Sequence, residues 1–215
     1  MRSVAVPLLT CLALCAPPPA GAEPVTREEA TQALSSRDLE ARREGAVALG
    51  KLGSMADVPA LLDALYDEDV GTRALAESAI WQVWMRSGDA AVDKLLKDGI
   101  RQMEDGHMGQ AVDSFTRVIE RKPEFAEGWN KRATAYYLMG DLDLSLKDCD
   151  EVIERNPAHF GALSGYGLIY VAKGELEKAL GYFERALEIN PNMPGVQQSI
   201  EMIQYRLGKS GKRST

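Results

Sequence analysis

Between residues 92 and 193 the apolar positions recur at the three- and four-residue spacing of a helix face, in helix-length stretches broken by glycine or proline. The breaks are periodic. Pro123, Pro157 and Pro191 stand 34 residues apart, and Gly106, Gly140 and Gly174 keep the same offset. Superposing the blocks aligns further columns: Gly99, Ala133 and Gly167; Ala111, Ser145 and Ala179; Phe115, Cys149 and Phe183; Val118, Val152 and Ala186. The Gly106 column falls between two helical stretches, where a left-handed residue ends the first. The Gly99 column lies mid-helix and lets a neighbour approach closely, and the Phe115 column fills the space between the two helices. Proline stops the second helix because it lacks the N–H that would continue the ladder. Each block therefore predicts a helix-turn-helix unit that buries its apolar face only by stacking on another.

Upstream the period changes. Asp38-x-x-x-Arg42 and Asp69-x-x-x-Arg73 lie 31 residues apart, and Ala48 and Leu49 match Ala79 and Ile80 at that offset. Ala56 to Tyr66 is a further apolar-periodic helix, and Thr26-x-x-Glu29 has the capping-box pattern that opens another. Asp38 and Asp69 are expected as first-turn or capping acids. Ser87-Gly88-Asp89-Ala90 reads as a short polar hinge between the two regions.

A 34-residue helical hairpin with these columns resembles the tetratricopeptide (TPR) repeat, here as units 92–125, 126–159 and 160–193 within a domain 89–207, closed by a capping helix 194–207. The segment 23–88 resembles HEAT-like repeats, in which an Asp starts a helix and an Arg one turn later faces the next unit. The expected fold class is all-α, an α-solenoid of helical hairpins, with residues 208–215 as a disordered tail. The block AEGWNKRATAYYLMGD (Ala126 to Asp141), with NPAHFGALSGYG (Asn156 to Gly167), resembles a group of exported bacterial TPR proteins.

Export is also expected from the start of the chain. Met1-Arg2, the apolar run Val4 to Ala16, three prolines and Ala20-Gly21-Ala22 have the layout of a signal peptide, 1–22, cleaved after Ala22. The cysteines of that segment, Cys11 and Cys15, lack the preceding small residue of a lipoprotein signal. Cleavage would leave Cys149 alone, so stability must come from packing rather than an internal disulfide. A periplasmic or secreted location follows, with no membrane span beyond the leader. Loss of Arg2 leaves 24 basic against 32 acidic residues, a net charge of −8, which opposes nucleic-acid binding.

Candidate chemistry is sparse. His107 and His159 have no metal-ligand spacing with Cys149, and no phosphate loop, dinucleotide motif or nucleophile elbow is found, so neither a catalytic site, a metal nor a cofactor is expected. Cys149 reads as a buried apolar filler, and the acid pairs Asp148/Asp150 and Glu151/Glu154 as a solvated helix face. In TPR arrays the first helix of each unit lines a concave groove, which places Glu127, Asn130, Thr134 and Tyr137 there. The equivalents are Asp93, Leu96, Ile100 and Met103 in the first unit, and Gly161, Ser164, Leu168 and Val171 in the third. Candidate peptide-binding residues are thus Asn130, Thr134, Tyr137, Leu96, Ile100, Met103, Leu168 and Val171, suiting an extended peptide or an amphipathic helix. The competing reading covers the first apolar set with the N-terminal region and the last with the terminal helix. Family members that clamp a C-terminal carboxylate use a basic and Asn cluster, but the matching positions here are Leu96, Ile100, Lys131, Gly161 and Gly165, so that activity does not carry over.

Trp129 is expected in the core with Ala133 and Tyr136. Arg132 stands where the family places an apolar residue, so it requires a carboxylate or carbonyl partner from a neighbouring helix. The function expected is a non-catalytic adaptor binding a protein or peptide partner. The alternatives are a self-assembling scaffold of open oligomeric state, or an enzyme accessory with Arg132, His159 and Tyr137 converging on one pocket.

Overall fold

A computed structural model describes residues 26–211, with side chains described to residue 208. The leader 1–22 lies outside the described residues, as do 212–215. The described chain is an all-α solenoid. The N-terminal helices are α1 (Arg27–Ala33), α2 (Leu39–Leu52), α3 (Val58–Ala64) and α4 (Val70–Trp84), with a 3-10 turn at Met55–Asp57 before α3. Three hairpins follow: α5 (Ala90–Glu104) with α6 (Met108–Arg121), α7 (Ala126–Met139) with α8 (Leu142–Arg155), and α9 (Phe160–Ala172) with α10 (Leu176–Ile189). The last helix is α11 (Pro194–Gly211).

Polar side chains start the helices as the sequence implies. Thr26 and Glu29 form a reciprocal capping box on α1, Asp38 accepts from the Ala41 amide, and Asp69 accepts from the Thr72 amide. Each cap satisfies an N–H that has no partner within its helix. The arginines one turn on tie successive hairpins together. Arg42 reaches Asp67 at 2.8 Å, and Arg43 makes a bidentate pair with Asp69 at 3.0 Å. Ser87 at the expected hinge is buried and bonded through both its amide and hydroxyl to Asp93, so the joint is a tied turn.

In the hairpins the left-handed turn is present at Gly140, with φ +83°, and its two column-mates match it. A Cβ on Gly99 would stand 2.5 Å from the Phe115 ring, which explains the mid-helix small residue. Phe115 and Phe183 are fully buried, each contributing roughly 2–3 kcal/mol by leaving water. Pro123, Pro157 and Pro191 each follow the end of a second helix. Ser145, in the small-residue column, is buried and donates to the Ala133 carbonyl at 2.7 Å.

Two features differ from expectation. Helix α11 continues to Gly211, past the expected end at Leu207. One glycine costs a helix only about 1 kcal/mol, and Val196 and Ile203 anchor this one against Phe183 and Ala179. The second difference is topological. The core of α1–α4 does not close on itself: it includes Phe160 at the start of α9, with Ile189 and Met193 packed against it. Polar contacts reinforce the join, since Asn192 donates to the Leu65 carbonyl at 2.7 Å, Arg73 donates to Asn192 at 2.9 Å, and the Tyr66 hydroxyl donates to the Glu188 carbonyl at 2.5 Å. The N-terminal helices therefore reach across the curve of the solenoid to the third hairpin.

Candidate functional site

The concave face between α7 and α9 holds a cleft of about 160 Å³. Helix α7 supplies Asn130, Ala133, Thr134 and Tyr137, and α9 supplies Ser164 and Leu168. The floor is lowered by Gly161 and Gly165, four residues apart on one face of α9, and closed by Ser145 and Cys149 from α8. Four of the candidate residues thus converge: Asn130, Thr134, Tyr137 and Leu168. Thr134 and Leu168 are exposed, and Asn130 is nearly buried.

The other four candidates do not line it. Leu96 is buried in the core between α5, α6 and α7, where Ile100 and Met103 also pack beside Met85, the residue just after α4. Val171 packs into the core that α11 seals. Sequence spacing expects these residues on the groove side of their helices; Leu96 is buried, and Ile100, Met103 and Val171 are partly buried against neighbouring helices.

Below the cleft lies a polar cluster that spacing did not reveal. Glu127 and His159 are both essentially inaccessible. The Ala162 amide donates to His159 Nδ1 at 3.0 Å, so this ring N-caps α9 and presents Nε2–H to Glu127 at 3.1 Å. Lys131 pairs with the same carboxylate at 2.9 Å, and the Asn130 amide donates to it at 3.1 Å. Burial alone would push the Glu127 carboxyl up, but the His159 hydrogen bond and the Lys131 charge outweigh it and hold it well below the usual range. The Trp84 ring stacks on His159 at 4.3 Å, and Trp81 meets Phe160 edge-on at 5.3 Å. A Cβ on Gly161 would stand 2.5 Å from Trp81, so the glycine admits that ring. Glu127 is therefore a buried ion rather than an exposed groove residue. Lys131 is spent on it, which removes the last basic group at the clamp positions.

Arg132 has the partner its burial requires. Its guanidinium makes a bidentate pair with Asp148 of α8, at 2.7 and 2.8 Å, and donates to Thr116 of α6 at 3.0 Å. Asp148 is buried, which corrects the reading of it as a solvated acid, and exposed Asp150 accepts from the Tyr166 hydroxyl. Trp129 is a second correction. It is only partly buried, the guanidiniums of Arg132 and Arg155 lie 5.1 and 4.9 Å from its ring centre, and its N–H donates to the Pro123 carbonyl at 2.9 Å. Two cation–π contacts, rather than full immersion in the core, hold this partly buried ring. Arg132 lies against α8, His159 beneath the cleft and Tyr137 in its wall, so the pocket that an enzyme reading required of these three does not form. Cys149 is buried at 3% exposure, and burial with the nearby Asp148 and Asp150 pushes its thiol up to about 12.

Residues 96–154 and 130–194 match the tetratricopeptide repeat family. A TPR repeat-containing protein of Rhizobium etli is 34% identical over 70 residues, which is 33% of this chain and 34% of that one. The chain thus spans about a third of that relative's length. Among solved structures, the first TPR of Spaghetti (RPAP3), bound to HSP90 peptide SRMEEVD, superposes with a TM-score of 0.53 at 25% identity, covering 54% of this chain and 93% of that one. The Sgt2 TPR domain from Aspergillus fumigatus gives a TM-score of 0.55 at 20% identity over 58% of this chain and 83% of that one, a likeness of fold. Residues 96–194 are thus similar to the tetratricopeptide repeat family, and among the described residues they are preceded by the helices α1–α4.

Proposed function

We propose that this chain is a non-catalytic interaction scaffold that binds a protein or peptide segment in the cleft between α7 and α9. The observation that carries this reading is the convergence of Asn130, Thr134, Tyr137 and Leu168 on one concave opening. A groove with an apolar rim and a few placed polar groups suits an extended segment, whose backbone meets the amide and hydroxyls while a small side chain enters beside Leu168. The relative solved with a bound peptide supports the class of ligand. In this reading α1–α4 form a HEAT-like unit that narrows the groove from the α9 side. The Asp38 and Asp69 caps and the Arg42–Asp67 ladder support that assignment. The leader 1–22 would deliver the chain to the periplasm or beyond.

The test is capture of crosslinked partners from the native compartment by the wild-type chain and by Asn130→Ala/Leu168→Glu, with helicity checked by circular dichroism. Loss of a reproducible partner set in the variant is expected. Retention of every partner by a folded variant excludes the cleft.

A further inference from the structure

We propose, resting on the reading of the α7–α9 cleft as a binding site, that its ligand is an uncharged internal stretch of extended chain. Two backbone N–H groups of that stretch meet α7, and one aliphatic side chain seats over Gly165.

The first observation is a glycine that packing does not require. Glycine weakens a helix interior, yet α9 carries Gly161, Gly165 and Gly167. Packing accounts for two of them. A Cβ on Gly161 would stand 2.5 Å from Trp81, and one on Gly167 would clash with the Phe183 ring. A Cβ on Gly165 would meet nothing nearer than Cys149 Sγ at 3.8 Å, an ordinary contact. Gly165 instead lines the cleft, above a floor of Cys149 and Ser145. Its missing side chain leaves a hole that a group from the ligand fills, and the neutral floor suits an aliphatic one.

The second observation is the polarity of the α7 wall. The Asn130 Nδ2 donates to both oxygens of Glu127, and the carboxylate fixes that end of the amide downward. Asn130 Oδ1 is then left without a partner among the described residues. Thr134 spends its hydroxyl hydrogen on the Asn130 carbonyl at 2.9 Å, so its oxygen can only accept. These two acceptors stand one turn apart on α7, about 6 Å along the axis. The N–H groups on one edge of an extended chain recur at every second residue, about 6.7 Å apart. The two spacings agree to within what a side-chain rotation absorbs. The Ser164 and Tyr137 hydroxyls, which have no partner among the described residues, serve the carbonyls of the same segment.

The third observation is charge. Among the described residues no charged side chain lines this cleft. Glu127 and Lys131 beneath it are paired with each other. A chain end or a charged side chain would lose water here without gaining a counter-ion, which selects a neutral internal segment.

The test pans the immobilised full-length chain against a random peptide library displayed in two formats, as an internal loop and with a free C-terminus. Wild type is expected to enrich uncharged internal sequences carrying an aliphatic residue, and Asn130→Ala/Leu168→Glu to lose them. On a selected peptide, N-methylation at either of two backbone nitrogens two residues apart, and Thr134→Val in the protein, should each weaken binding about tenfold. Gly165→Ala should leave the melting temperature unchanged or raised and also weaken the peptide about tenfold. Shortening the peptide's aliphatic residue to alanine should recover binding in that variant. No enrichment by wild type over the double variant overturns this inference together with the cleft reading on which it rests. Cleft-dependent enrichment of free C-termini or charged sequences overturns the inference alone, as does indifference to N-methylation or to Gly165→Ala.

Discussion

Arg132 joins three helices through one side chain, linking α7 to Asp148 of α8 and Thr116 of α6. Removing one partner of a buried pair strands the other, so Arg132→Met is expected to cost about 3–5 kcal/mol in urea unfolding. The double variant Arg132→Met/Asp148→Leu should recover much of that loss, because no uncompensated charge remains. A double variant no better than the single one would show that the pair is more than local compensation. At Cys149 the buried thiol stays protonated at neutral pH. In a Cys11→Ser/Cys15→Ser chain, Ellman's reagent at pH 8 should leave Cys149 unreacted when folded and titrate it fully in denaturant; rapid reaction without denaturant contradicts the burial.

Helix ends and turns make the units. Asp38 caps α2 and Asp69 caps α4, but only Asp69 also carries a bidentate Arg43. Asp38→Ala should lower stability by about 1 kcal/mol, the ordinary cost of a lost cap. Asp69→Ala should lower it further, since Arg43 then loses its partner as well. Equal denaturation midpoints for the two variants would deny the inter-helix tie. Gly140 sits at φ +83° and an added Cβ would meet nothing within 4 Å, so Gly140→Ala encounters backbone strain alone, about 1 kcal/mol.

Over the whole molecule, the N-terminal helices are held to the third hairpin by Trp81, Trp84 and Phe160 above the Glu127–His159 cluster. This cluster sets an acid limit on stability. The folded Glu127 carboxyl ionises below its unfolded value, so its contribution is complete above the ordinary glutamate range near pH 4–5 and is lost as pH falls toward the depressed folded value. Wild-type stability should therefore fall through this window more steeply than that of Glu127→Gln, measured by urea titration from pH 6 to 3. Parallel pH profiles would show that Glu127 is not the group responsible.

The repeat columns, the glycine turns, the proline stops and the capping acids were legible because each is local: a backbone angle, a missing N–H or an orphaned helix donor depends on residues within one turn. Arg132's need for a partner was legible for a related reason, since a charge at a buried position must be met whatever surrounds it. Asp148 was not, because spacing along α8 does not say which acid faces the neighbouring helix. Periodicity expected Leu96 and Val171 to line the groove, but they pack into cores, because what covers a helix face depends on helices packed from elsewhere in the chain. The same holds for His159, which lies in a linker by sequence and in the fold is a buried cap against Trp84, 75 residues earlier. Sequence alone determined that this chain stacks helical hairpins, because an amphipathic 34-residue unit can bury its face in no other way. Only the tertiary structure decided that the N-terminal helices cross to the third hairpin and that Asn130, Thr134, Tyr137 and Leu168 meet in one cleft, because long-range burial follows which surfaces meet and not which residues adjoin.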